Sequence, residues 1–128
     1  MIYISHRGNI SGSDIYLENS TDYILSALNN SFDVEVDIWF YKSKLYLGHD
    51  EPKYEFDHKL LEFKNKLWFH AKNLDALPLL KKNNFHYFWH QQDYVTLTSQ
   101  GYWWTYPGKK VFKNSICVNP EQYNFQSF

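Results

Sequence analysis

The chain has 128 residues, enough for one domain with a core of its own, and a formal net charge of -1 from 13 Lys and Arg against 14 Asp and Glu. That balance excludes a global field able to gather nucleic acid or an anionic membrane, so any anion must be recognised locally. A single cysteine excludes an intrachain disulfide and a cysteine-built zinc site. No apolar stretch approaches the length of a membrane span, and the opening run 2–5 is too short for a signal-peptide core. A cytoplasmic protein with no nucleic-acid partner and no stable membrane insertion is expected.

The first strand is predicted over 2–5 and runs into Ser5-His6-Arg7-Gly8, where Arg7 is the only arginine of the chain. A helix follows over 20–29, with Ser20 or Thr21 as cap and Tyr23, Ile24, Ala27 and Leu28 on one apolar face. The second strand, 33–40, carries Glu35 and Asp37. A hairpin at 40–44 leads to a third strand over 44–48, which ends on Gly48-His49-Asp50. A weaker helix covers 57–63. The strand predicted at 66–71 brings His70 and then Lys72. Asn73 is placed to cap a helix over 73–83, with Pro78 in its early turn and Lys81 and Lys82 near the negative end of its dipole. Further strands are predicted over 86–90, 101–106 and 115–118. Aromatic residues make up 20% of the chain, and large rings in that number fill a core before they serve a ligand. Strand and helix in alternation predict parallel strands joined by right-handed crossovers, an α/β class, and a single domain over 1–128.

In such folds reactive groups gather where strands end. Glu35 and Asp37, two apart on a strand, point the same way and suit one hard divalent cation held through oxygen. His6 and His49 each follow a strand and form a candidate acid–base pair. Arg7 presents the planar fork that matches phosphate oxygens. His58 and His86 read as surface or structural residues. Strand-end position alone makes His90, Gln91, Trp104 and Tyr106 candidate pocket-lining residues.

Taken in order, Ser5-His6-Arg7-Gly8, Glu18-Asn19-Ser20, Glu35-Val36-Asp37 and Gly48-His49-Asp50 resemble the motifs of the glycerophosphodiester phosphodiesterase family. That family lies within the larger group of phosphatidylinositol-phospholipase-C-like phosphodiesterases, and this chain resembles a short or truncated member. Beyond Asp50 the likeness is carried by Lys72 alone. The resemblance implies a TIM-barrel-like (β/α) fold, incomplete at about six of the eight strands, with the hairpin inserted after the second strand. It implies His6 and His49 as general acid and base, Arg7 and Lys72 on the phosphate, Glu35 and Asp37 on calcium or magnesium, and Glu18 and Asp50 supporting them from behind. His70 stands where the family has a third metal carboxylate, and a neutral imidazole there suits manganese or zinc. The implied function is metal-dependent hydrolysis of a glycerophosphodiester or related small phosphate diester, with a water or a substrate hydroxyl attacking phosphorus. The alternative is a weakly active or inactive phosphate-ligand binding domain of the same fold. An incomplete barrel also leaves an open edge, which a second copy of the chain would close.

Overall fold

The computed structural model describes residues 1–89, 95–105 and 115–117. The chain divides into two compact units, Met1–Tyr87 and Phe88–Phe128.

The first unit is organised by one long strand. β1 (Ile4–His6) leads through a loop to helix α1 (Thr21–Asn29), followed by β2 (Asp33–Tyr41), β3 (Lys44–Leu47), β4 (Tyr54–Glu55), a 3-10 segment (His58–Lys66), β5 (Leu67–Ala71), helix α2 (Ala76–Lys82) and β6 (Tyr87–Phe88). Along one path the sheet order is β4-β3-β2-β5-β6, with β1 also on β2. β2 pairs in parallel with β1 over residues 33–35 and with β5 over 34–38, and it pairs antiparallel with β3 over 38–41. Lys42 and Ser43 form the two-residue turn between β2 and β3. Both have positive φ, 48° and 64°, as a turn matched to the strand twist requires.

Strict alternation along β2 gives the sheet two unlike faces. Val34, Val36 and Ile38 are fully buried on one, in register with Leu67, Phe69 and Ala71 of β5. Phe69 lies 4.9 Å from Phe85 and 6.2 Å from Phe56, ring to ring. The core is completed by Ile24, Ala27 and Leu28 of α1, Leu60 of the 3-10 segment and Leu80 of α2. Asp33, Glu35 and Asp37 occupy the opposite face beside Trp68 and His70.

Both helices end by the same device. After α1, Ser31 (φ 69°) lets its own N–H reach the Leu28 carbonyl and that of Phe32 reach Ala27. After α2, Asn84 (φ 56°) does the same toward Lys81, with Phe85 reaching Leu80. These pairs satisfy carbonyls that the helix leaves open and turn the chain straight into the next strand. Pro78 falls in the first turn of α2, where its missing N–H costs nothing. Asn73 does not cap that helix. Its side chain instead accepts from Phe40 N (3.1 Å) and donates to Phe40 O (2.8 Å), extending the β2–β5 pairing by one side-chain rung.

In the second unit β7 (Val95–Leu97) pairs antiparallel with β8 (Trp103–Thr105), which pairs in parallel with β9 (Ser115–Cys117). The β7–β8 turn is tied by Thr98, whose N–H donates to Tyr102 O and whose hydroxyl accepts from Tyr102 N. Phe88 stacks on Trp104 with ring centres 4.6 Å apart.

The barrel implied by the family resemblance is not formed. Among the described residues the first unit is a six-stranded mixed sheet with no closed barrel. Alternating elements fix how many strands follow helices, not which strands pair. A barrel stave needs one parallel neighbour along each edge. Here one edge of β2 is divided between parallel β1 and antiparallel β3, and β4 continues antiparallel beyond β3. The later strands β7, β8 and β9 pair with one another as a separate three-stranded sheet. No helix among the described residues is long and apolar enough to cross a membrane.

His86 lies against Trp68 with ring centres 4.1 Å apart, and burial lowers its pKa to about 4. A histidine held neutral in the fold takes up its proton more readily when unfolded. Its contribution to stability is therefore complete above pH 6.5 and is lost as the pH falls toward 4. Replacing His86 with Phe should remove up to about 3 kcal/mol of stability loss across that window relative to the unmodified chain. Urea denaturation midpoints measured from pH 7 to pH 4 check this; parallel curves for the two proteins would refute it.

Candidate metal centre

Three sheet positions bring the polar groups together. The register pairs His6 with Glu35 across β1–β2 and Asp37 with His70 across β2–β5. Partners in parallel register share a face, so His6, Glu35, Asp37 and His70 converge. The bonding atoms of Glu35, Asp37 and His70 all lie within 4.8 Å of one another. His70 Nδ1 is 3.1 Å from Asp37 Oδ1 and 3.8 Å from Glu35 Oε1.

Both carboxylates are buried, Glu35 at 2% exposure and Asp37 at 0%. Asp37 is surrounded by donors. Asn19 clamps it twice, donating from Nδ2 to Oδ2 at 3.0 Å and accepting from the Asp37 N–H at 3.0 Å. Arg7 Nε stands 3.0 Å from the same Oδ2, near enough for a strong ion pair although its N–H is out of line for a hydrogen bond. His49 Nδ1 is 3.4 Å away. Burial alone would raise Asp37; the bonds from His49 and His70 and the charge of Arg7 overcome it and hold the carboxyl well below the usual range. Glu35 is the reverse case. Burial and then the charge of Asp37 push it well above the usual range, against the pull of Arg7 and Lys72, and its Oε2 has no hydrogen-bond partner. His6 Nε2 comes no closer to that oxygen than 3.6 Å.

Two loops carry the remaining groups. After β1 the chain turns left-handed at Arg7 (φ 59°) and again at Asn19 (φ 65°), and Asn19 N–H donates to the Arg7 carbonyl at 3.0 Å. Gly8 continues the first turn at φ 95°, where any Cβ would strike the Tyr23 ring and backbone. Arg7 Nη1 donates to buried Glu18 at 3.0 Å, while Nη2 faces His49 Nε2 at 3.4 Å. The second loop follows β3. Gly48 N–H donates to Asp37 O, Gly48 O accepts from the Trp39 indole at 2.7 Å, and a Cβ on Gly48 would collide with the Glu51 carbonyl. These bonds hold His49 over the end of β2, and its Nε2 lies 3.6 Å from the exposed Asp50.

His6, Arg7, Glu18, Glu35, Asp37, His49, Asp50 and His70 thus belong to one cluster. Lys72 follows β5, half-buried, with its N–H on the Ile38 carbonyl, and its charge favours ionised Glu35. Trp104 lies in the second unit on Phe88. His90, Gln91 and Tyr106 lie outside the described residues. Asn19 is the member that residue chemistry passed over. An asparagine is a weak signal alone, and its value appears only once β2 is laid beside it.

Comparisons with family models, curated proteins and solved structures give no match. The chemistry of the site rests on its own geometry.

The donor set fits a cation. Two carboxyl side chains and an imidazole converge, and one buried carboxyl oxygen has no hydrogen-bond partner, a cost that a bound cation would offset. The Asn19 clamp makes a direct prediction. Asn19→Gly keeps the left-handed backbone while stripping two bonds from Asp37, and should lower unfolding stability by about 2–3 kcal/mol in urea melts. A loss under about 0.5 kcal/mol would show that the clamp is dispensable.

Proposed function

We propose that the chain is a metal-dependent phosphodiester hydrolase in which His6 and His49 move protons and Glu35, Asp37 and His70 hold a divalent cation. The observation that carries this reading is two half-exposed histidines, 43% and 42% by side chain, flanking carboxylates that are buried beneath them. Buried acids alone would suit a structural ion. Two open imidazoles over them supply what hydrolysis requires, a base and an acid in contact with solvent.

The roles follow from surroundings. Partial burial and then the charge of Arg7 lower the pKa of His6, so it is neutral near pH 7 and suited to take a proton from an attacking water. His49 lies between Asp37 and Asp50, half-exposed, where its ring can reach the departing alkoxide as the general acid. The water's oxygen forms the new bond to phosphorus, the bond to the leaving oxygen breaks, and a phosphate monoester and an alcohol result. Arg7 Nη2, on the His49 side, is placed to meet a phosphate oxygen, while Glu18 and Asp37 fix the other nitrogens and aim the fork. A cation bound at the centre supplies Lewis-acid stabilisation of the charge that grows on the phosphoryl oxygens. Lys72 adds positive charge on the same side as Glu35. A glycerophosphodiester is the substrate suggested by the motif resemblance.

Purified chain should hydrolyse bis-p-nitrophenyl phosphate and glycerophosphocholine when a divalent metal is supplied. His6→Ala and His49→Ala should each reduce kcat about 10²–10⁴-fold while leaving circular dichroism unchanged. Wild-type rates in both variants would remove the acid–base assignment. A folded chain that binds inorganic phosphate but turns over neither substrate with any metal would favour the binding-domain alternative.

A further inference from the structure

We infer that the centre selects a first-row transition-metal dication, of the manganese or zinc kind, over magnesium and calcium, and that His70 Nδ1 is the deciding ligand. This rests on the metal centre of the reading above and names the chemistry of its ion.

The argument begins with the oxygens that remain free. Asp37 Oδ2 is taken by Asn19 Nδ2 at 3.0 Å, Arg7 Nε at 3.0 Å and His49 Nδ1 at 3.4 Å; its Oδ1 meets only His70 Nδ1, at 3.1 Å, so an ion would take this oxygen and nitrogen together by displacing the proton between them. Glu35 contributes Oε1, facing His70, and the unpartnered Oε2. The centre therefore offers few oxygens. Calcium takes about six to eight oxygen ligands and magnesium an octahedron of them, so either would draw most of its shell from water. Much of the negative charge that would attract a hard cation is already answered by Arg7, paired with Asp37 and Glu18. What the site offers instead is a nitrogen donor. An imidazole with two carboxylates is a donor set for manganese, iron, cobalt or zinc, and imidazole is a poor ligand for calcium or magnesium.

Spacing agrees. Two donors about 2.0–2.2 Å from one ion, at angles between a right angle and tetrahedral, stand about 3.0–3.5 Å apart. His70 Nδ1 and Asp37 Oδ1 are at 3.1 Å, within that range, while Glu35 Oε1 stands 3.8 Å from His70 Nδ1 and would have to draw in to join them, the three donors lying within 4.8 Å of one another. His70 is fixed for the task by position, on a fully buried strand in direct register with Asp37.

The test is metal binding by the full chain, read by calorimetry and by thermal unfolding with each metal salt alone. Manganese and zinc should bind at least about tenfold more tightly than magnesium and calcium, about 1.4 kcal/mol or more. His70→Glu should shrink that ratio at least about tenfold, and Glu35→Gln should weaken zinc binding, which separates this centre from the other histidines. A readout on the unmodified chain covers the case in which His70→Glu does not fold. In imidazole nitrogen NMR, zinc should move the Nδ1 resonance of His70 and calcium should leave it in place. Equal affinity for the two classes of metal, a ratio unchanged in folded His70→Glu, zinc binding indifferent to Glu35→Gln, or a His70 resonance unmoved by zinc would each overturn the inference. Tight zinc binding without hydrolysis would end the phosphodiesterase reading and leave this inference standing. Hydrolysis supported by magnesium or calcium as well as by zinc would do the opposite.

Discussion

Two carboxylates buried on one face of one strand set the terms for the whole first unit. Taking a carboxyl group out of water is costly, by several kcal/mol when it is ionised, even after the protein relaxes around it, and Glu35 and Asp37, two apart on β2, both face that cost. The fold answers for Asp37 with two loops, one after β1 and one after β3. Arg7 and Asn19 both adopt left-handed backbone, an arrangement that costs on the order of 1 kcal/mol or more for a residue with a side chain. Asn19 then donates to one Asp37 oxygen and Arg7 sets its charge against the same atom. Backbone strain in the β1–α1 loop is thus tied to electrostatics on β2. Removing Asp37 would leave Arg7, Asn19 and His49 arranged around nothing.

That constraint also explains why β2 is the longest strand among the described residues and pairs with three others. Its first half needs β1 beside it to bring His6 and Arg7 to the acids, and its second half needs β3 to bring back His49. One edge cannot run a full parallel ladder to β1 and also receive an antiparallel hairpin. The edge is divided, and the sheet stays open. On the other edge β5 runs the length of the acidic stretch and places His70 opposite Asp37. The apolar face is indifferent to these demands. Val34, Val36 and Ile38 pack as in any half-buried sheet, and the Phe56, Phe69 and Phe85 rings fill the space left by short helices.

The local parts of this arrangement were legible in the sequence and the long-range parts were not. Alternation in Asp33-Val34-Glu35-Val36-Asp37-Ile38 announces a strand with one acidic face, and the structure places both site acids there. The helix over 20–29 follows from its apolar spacing in the same way. Pairing is a different kind of information. Nothing in 44–47 or 54–55 states that these strands run antiparallel beside β2, and nothing in 95–97 states that it pairs with 103–105. Rhythm suggested parallel strands and the motif resemblance implied a barrel, and hydrogen-bond partners chosen across the chain decided against it. Asn73 shows the same limit at the scale of one residue. Its place before a helix suggests a cap, but two backbone groups of Phe40 offered a better pair of bonds than the helix end did.

The two site acids differ in a way that bears on stability as well as chemistry. Asp37 is saturated and acts as a structural anchor that also shows one oxygen to the centre. Glu35 is desolvated, pressed by its neighbour and unsatisfied at Oε2. A chain selected for stability alone would replace such a glutamate with an apolar side chain, since a half-satisfied buried polar group is worse than none. Elsewhere in the unit local rules agree with the fold: alternation in β2, paired bonds closing both helices, Pro78 in the first turn of α2. The departures gather at Arg7, Asn19, Glu35 and the collision-prone Gly48, all within the same cluster. Left-handed backbone at Ser31, Lys42, Ser43 and Asn84 serves helix ends and a hairpin turn, whereas at Arg7 and Asn19, close to the unpartnered Glu35 oxygen, it serves the group of acids and imidazoles, and function is the usual reason for giving up stability at such a place.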